Sequence, residues 1–273
     1  MPEGPEIRWA ADQVEKALQH RTMLDVSFGL DRLQGYESIL QGAQVTNVDT
    51  KGKAMLTRFD HGWVIYSHNQ LYGKWMIRNA YNYPKTNRQL RLALHNEKKS
   101  ALLYSASDIS VMQEEELSDH PFLQKAGPDL LSDPVTAELL YERIQSASFY
   151  RRKWSSLLLD QSFVCGTGNY LRSEIMFTSG LSPEWRPADT PDEKLFKAAE
   201  EMIRLTEQAY QSGGITNNLQ LAEELKRQGQ TRQQYRHYVF ARASLSCREC
   251  GSPIEKIQAA SRRLYYCPYC QSS

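Results

Sequence analysis

With 273 residues, 41% of them hydrophobic, the chain is long enough for one large or two medium domains, each with a real core. The first twenty residues hold no continuous apolar segment and no run of about twenty apolar residues occurs anywhere, so no membrane span is expected and a soluble, cytoplasmic protein is. The formal net charge of +1 announces no nucleic-acid partner in bulk, but Lys226, Arg227, Arg232, Arg236, Arg242, Arg248, Lys256, Arg262 and Arg263 face only Glu249 and Glu255 in the tail. A tail of net +7 on a mildly acidic body suggests a polyanion contact, or simply a solvated face.

The chain opens Met1-Pro2-Glu3-Gly4-Pro5-Glu6. Met1 precedes a small residue and is expected to be removed, which leaves Pro2 as a secondary α-amine. Such a group loses its proton near pH ~8, far below a lysine at ~10.4. Attack of a secondary amine on a sugar carbon gives an iminium, an electron sink that activates the neighbouring C–H bond. Glu3 stands beside it, placed to give or take a proton. The same six residues also suit a plain helix start, with Pro in the first turn and Glu at the positive end of the dipole.

Residues 5–19 predict an amphipathic helix, with Ile7, Ala10, Ala11, Val14 and Leu18 on one stripe. Short β-type runs follow at 24–28, 45–49, 54–59, 63–68, 74–78, 90–94 and 101–104. Many short strands at close spacing argue for a sandwich or barrel, against which the first helix packs. From 117 to 134 the pairs His120-Pro121, Gly127-Pro128 and Asp133-Pro134 break the pattern, as a linker or hinge does. Helices are expected at 135–144, 154–159, 170–178, 192–210 and 219–228, the last capped near Thr216 or Asn217-Asn218. The division expected is a β-domain over 1–118, a linker over 119–134, a helical domain over 135–236 and a zinc unit over 237–273.

Cys247 and Cys250 enclose two residues, Cys250 and Cys267 sixteen, and Cys267 and Cys270 two. The spacing predicts two knuckles on a β-hairpin holding one structural zinc with four thiolates. Two disulfides are the alternative, which a reducing compartment disfavours. Four thiolates leave no open coordination position for catalysis. A hairpin this small buries no core, so the ion fixes it, and an arginine held near its turn can grip phosphates. Cys165 stands apart and is expected to be a buried small apolar residue.

Several motifs in one order resemble the endonuclease VIII / formamidopyrimidine-DNA glycosylase family over nearly the whole chain. They are Pro2-Glu3-Gly4-Pro5-Glu6, Lys51-Gly52-Lys53, 67–73 (Ser-His-Asn-Gln-Leu-Tyr-Gly), 120–125 (His-Pro-Phe-Leu-Gln-Lys), 166–171 (Gly-Thr-Gly-Asn-Tyr-Leu) and the zinc hairpin. The resemblance implies an α+β multidomain fold: an N-terminal β-sandwich with an N-terminal helix, then a helical domain with a helix–two-turns–helix element and a zinc-binding β-hairpin. It implies a bifunctional DNA glycosylase and AP lyase that acts as a monomer on damaged double-stranded DNA. Pro2 then matches the Schiff-base nucleophile, Glu3 the acid that opens the sugar ring, Lys53 a second proton donor and Arg262 the arginine of phosphate contact and δ-elimination. Gln70, Lys125 and Asn169 match DNA contacts, and Gln70-Leu71-Tyr72 an insertion wedge, where an ordinary turn with buried Leu71 and Tyr72 is the plain alternative. Glu6 matches a neighbour of the catalytic site, or is a simple first-turn carboxylate.

Two features depart from the family pattern. Lys125 is a point charge where arginine is frequent, and the stretch 213–234 matches nothing expected there. Gly4 in place of a leucine, and the Gln-Leu-Tyr wedge, lean towards oxidised pyrimidines. Removal of oxidised purines and a non-catalytic zinc-hairpin DNA-binding protein are the competing readings.

Overall fold

The computed structural model describes residues 2–272; Met1, whose removal is expected, lies outside them. The chain divides into two units, one of residues 6–125 with Pro2, the other of residues 3–5 with 126–272.

In the first unit the apolar stripe of α1 (Gly4–Leu18) is buried at Ile7, Ala11, Val14 and Leu18. After β1 (Asp25–Phe28) the chain makes a short 3-10 helix and one turn of α2 (Glu37–Leu40). Then come β2 (Val45–Lys51), β3 (Ala54–Phe59), β4 (Trp63–His68), β5 (Lys74–Asn79), β6 (Leu90–His95), β7 (Lys99–Tyr104) and β8 (Asp108–Gln113). They form two four-stranded antiparallel sheets, ordered β1-β6-β7-β5 and β2-β3-β4-β8. Val26, Phe28, Leu92, Leu94 and Leu103 from one sheet join Val48, Met55, Phe59 and Ile65 from the other in one core, with Ala11, Val14 and Leu18 of α1. Alternation puts these side chains on the inner faces. β8 is a strand the sequence pattern does not single out, although its Ile109 and Val111 alternate into the core. The outer face of β3 and β4 is apolar too, and Leu117, Phe122 and Leu123 cover Ala54, Leu56, Val64 and Tyr66.

The second unit is helical: α3 (Ala137–Gln145), α4 (Trp154–Leu157), α5 (Asn169–Thr178), α6 (Asp192–Gln211), α7 (Leu219–Arg227) and α8 (Arg232–Tyr235). Thr136 and Asn218 cap α3 and α7 by accepting from the amides of Leu139 and Leu221. The helix expected over 154–159 shrinks to one turn. Trp154, Leu157, Leu171, Ile175, Met202 and Leu205 build the core, which Leu264 of the hairpin β9 (Glu255–Ala259) and β10 (Arg262–Tyr266) completes. Among the described residues no helix is long and apolar enough to cross a membrane.

Candidate functional site

Glu3 is a carboxylate on a helix N-terminus. It is 2% exposed, and its Oε1 and Oε2 accept the backbone N–H groups of Tyr170 (2.7 Å) and Leu171 (3.2 Å) in the first turn of α5. Those N–H groups have no partner inside the helix, and the dipole there favours an anion. The approach needs two glycines. A Cβ on Gly168 would lie 2.3 Å from Glu3 Cδ, and one on Gly4 would lie 2.9 Å from Gly166 Cα. Gly4 N–H donates to Gly166 O at 2.7 Å, which seats the chain beside the loop. Pro2 is half-buried and joined to Glu3 by the peptide bond.

Asn169 opens α5, and its Oδ1 accepts from the Arg172 guanidinium at 2.7 Å. Arg172 is fully buried and also donates to Ser155 O (2.8 Å), Ala259 O (3.0 Å) and Arg263 O (3.0 Å). Burial, then the nearby charge of Arg262, pulls its pKa down to about 10, with Glu3 opposing. Its fork therefore spans the turn that carries Arg262, where Ala260 and Ser261 both take positive φ (51° and 58°). Two consecutive left-handed residues match the twist of a two-residue hairpin, although neither is the usual Asn or Gly. Arg262 itself is exposed. The sequence gives no local sign of Arg172, since three of its acceptors lie far along the chain.

The unassigned stretch at 213–234 folds back on α5. Thr216 is fully buried and donates from Oγ1 to Glu174 at 2.6 Å, so His237 Nδ1, 2.8 Å from the same oxygen, carries the proton and donates. The imidazole lies 5.2 Å from the Tyr170 ring, over which the Arg236 guanidinium sits at 5.0 Å. Burial, then Arg236 and Arg232, holds the His237 pKa well below its ordinary value. Cys165 is fully buried.

In the first unit, Gly52 (φ 60°) and half-buried Lys53 form the two-residue turn between β2 and β3. At the end of β4, Gln70 takes φ 51°, and Leu71 and Tyr72 stand 54% and 68% exposed, which removes the plain-turn alternative with both side chains buried. His68, to which the sequence assigns no role, sits between these two turns. Its Nδ1 accepts the Gln70 N–H at 3.1 Å and lies 3.9 Å from Asp108 Oδ2. Lys125 is exposed in a short 3-10 turn at the end of the unit.

The four thiols of Cys247, Cys250, Cys267 and Cys270 lie within 4.8 Å of one another. Cys247 and Cys270 Sγ are 3.9 Å apart, and Cys250 and Cys267 Sγ 3.5 Å. Tetrahedral zinc with Zn–S bonds of about 2.3 Å needs separations of about 3.8 Å, so the donors fit one structural zinc. Gln271 ties the second knuckle down, accepting from Cys267 N–H and donating to Leu181 O, both at 2.9 Å.

Three family models match in order. They are described as the formamidopyrimidine-DNA glycosylase N-terminal domain (residues 1–106), the formamidopyrimidine-DNA glycosylase H2TH domain (126–220) and the zinc finger found in FPG and IleRS (245–272). Endonuclease 8 of Klebsiella pneumoniae is 43% identical over 271 residues, 99% of this chain and all of that protein. Endonuclease 8 of an Escherichia coli strain matches equally, at 43% and the same coverage. The chain belongs to the endonuclease 8 / formamidopyrimidine-DNA glycosylase family. Members of this family are DNA glycosylases and AP lyases of base excision repair, and this chain is such an enzyme. The fold agrees with that of Lactococcus lactis formamidopyrimidine-DNA glycosylase bound to DNA containing an AP site, at TM-score 0.83 and 18% identity over 99% of this chain and 100% of that one. A second complex of the same Lactococcus protein, with DNA containing an oxidised pyrimidine, superposes with TM-score 0.83, 18% identity and full coverage of both chains.

Proposed function

We propose that the enzyme excises oxidised pyrimidines from damaged double-stranded DNA through a Schiff base at Pro2, then cuts the strand by β- and δ-elimination. The observation that carries this is the Glu3 carboxylate, one peptide bond from Pro2, held at both oxygens by the amides of Tyr170 and Leu171. A carboxylate so held begins as an acceptor. It takes the proton from the Pro2 ammonium, which frees the amine, and returns that proton to the sugar ring oxygen as the ring opens.

The Pro2 nitrogen attacks C1′ of an everted nucleotide, the glycosidic bond breaks, the base leaves with a proton that Lys53 supplies, and the proton left on the Pro2 nitrogen passes to the Lys53 amine as the iminium forms. The iminium acidifies C2′–H; loss of that proton expels the 3′ phosphate, and a second elimination, with Arg262 on the phosphate, expels the 5′ phosphate. Eversion costs a few kcal/mol of stacking, and exposed Leu71 and Tyr72 with Gln70 fill the vacated space. Asn169 and Lys125 hold phosphates. Zinc supplies no chemistry to these steps; bound by Cys247, Cys250, Cys267 and Cys270, it fixes the hairpin that bears Arg262. The enzyme works as a monomer in the cytoplasm, and residues 119–134 serve as the linker between the lobes.

Borohydride should trap the enzyme on DNA bearing thymine glycol, and peptide mapping should place the link on a peptide that begins at Pro2. Retained Met1, or a link to a lysine instead, overturns the nucleophile. Glu3→Gln should bind the damaged duplex but lose excision; equal excision removes Glu3 from the scheme. A competition between thymine glycol and an oxidised guanine opposite cytosine should favour the pyrimidine, and the reverse preference assigns the purine activity.

A further inference from the structure

The turn that presents Leu71 and Tyr72 is conformationally costly and is held by few bonds. Gln70 lies in the left-handed region, which a residue with a side chain adopts only when its surroundings impose it. Gln70 Oε1 accepts from Ser107 Oγ (3.1 Å) and Ser107 N (3.4 Å). Gly73 N–H donates to Asn69 O at 2.7 Å, and a Cβ on Gly73 would fall 2.4 Å from that oxygen. The bond that closes the turn from inside is Gln70 N–H to His68 Nδ1. A side-chain acceptor reaching the N–H two residues on is the geometry of an Asx turn, made here by an imidazole.

We propose that His68 is a positioning residue, whose neutral imidazole locks the Gln70 turn that aims Leu71 and Tyr72. This rests on the insertion role given to Leu71 and Tyr72 above. Because Nδ1 accepts, the proton sits on Nε2. Asp108 from β8 faces the ring, with Oδ2 3.9 Å from Nδ1, and the charge of Lys53 on the β2–β3 turn is felt there as well. The Phe122 ring lies tilted to the imidazole with centroids 6.5 Å apart, and the His120 ring lies tilted against that of Tyr66 at 4.1 Å. Burial lowers the His68 pKa below its ordinary 6.5, Asp108 opposes this and Lys53 adds to it. A second proton would turn Nδ1 into a donor towards Asp108 and take away the Gln70 acceptor. Acid therefore loosens the tip, and burial of the ring, the largest cause of its lowered pKa, keeps the lock in place at neutral pH.

The test uses the full zinc-loaded enzyme and a duplex with 2-aminopurine opposite the lesion, whose fluorescence reports insertion. His68→Leu keeps bulk but offers no acceptor; His68→Asn restores an Asx turn without a group that titrates. Loss of one such bond predicts an insertion rate about ten-fold lower in His68→Leu at pH 7.5. His68→Asn should stay within about two-fold of the parent and lose the parent's decline in insertion below pH ~6.5. Should His68→Leu not fold, His68→Gln, too long to close the same ring, takes its place with the same expectation. An unchanged rate without the acceptor, or an acid decline that survives in His68→Asn, overturns the role. Leu71→Ala separates the two levels: if it too leaves the signal unchanged, the insertion reading fails; if it moves the signal and His68→Leu does not, only His68 is removed.

Discussion

The N-terminus of α5 and the tip between β4 and β5 carry proposed roles in one reaction but are built in opposite ways. At α5 the working carboxylate is 2% exposed, both oxygens are taken by amides, and Gly168 leaves no space for a single methyl. At the tip the working side chains stand 54% and 68% exposed, and what is fixed is the backbone beneath them. Moving a proton requires the group to be held to a fraction of an ångström. Filling a hole in a base stack requires an apolar body already outside the fold, so order is spent on direction and not on packing.

The largest effect expected is removal of zinc, since structural zinc sites contribute on the order of 10 kcal/mol to folding in small domains. Chelation, or Cys267→Ser, should strip the metal and disorder the hairpin. Because Arg172 grips Ala259 O and Arg263 O, α5 should lose protection in amide hydrogen exchange while β3 and β4 keep theirs. Equal loss in both units would show that the two are not independently held. Next comes Gly168→Ala. The new Cβ meets the Glu3 side chain, not backbone, so the carboxylate must leave its amides while the fold survives. Single-turnover excision should fall about 100-fold, the scale of a misplacement near 1 Å, with zinc content unchanged. A fall below about three-fold would mean that the seat of Glu3 does not matter to the rate.

The parts of the two regions legible in sequence are those with local causes. The cysteine spacing locates the four thiols, the stripe Ile7–Ala11–Val14–Leu18 locates α1, and Asn218 announces α7. Glu3 is conspicuous beside Pro2, but the amides that hold it are more than 160 residues away. Arg172 reads as an ordinary helical arginine, because its acceptors at Ala259 and Arg263 are 87 and 91 residues distant. His68 reads as the last residue of a strand, since only the fold brings Asp108 and Lys53 to it. The stretch 213–234 carries no motif, yet Thr216 at its start is buried against Glu174. Chemistry-bearing residues announce themselves by type; the groups that aim them do so only through long-range contacts.

A smaller effect separates the regions by pH. His237 is held neutral under the Tyr170 ring, with its folded pKa well below the unfolded 6.5. A depressed pKa means that the unfolded chain takes up the proton first. Its contribution is therefore fully present above pH ~6.5 and is lost as pH falls below that towards the folded value. Urea midpoints of the parent should decline through that window, and His237→Phe, which keeps the ring packing, should decline less. The same slope in both proteins would assign the acid sensitivity to His68, His95 and His120, whose pKa values burial also lowers.

The smallest stability effect belongs to the tip, and it tests the comparison most directly. Exposed side chains contribute little to folding, and substitutions at such positions usually stay within about 0.5 kcal/mol. Leu71→Ala with Tyr72→Ala should leave the urea midpoint of the first unit unmoved, because both side chains are already in solvent. Excision from a duplex should nonetheless fall about ten-fold, while excision from single-stranded DNA, which has no stack to fill, should change less than two-fold. Those two results together would mark Leu71 and Tyr72 as side chains kept for the nucleic acid alone. A stability loss above about 1 kcal/mol would instead return them to the packing of the fold. A fall in excision equal on both substrates would remove them from the work of holding an everted base.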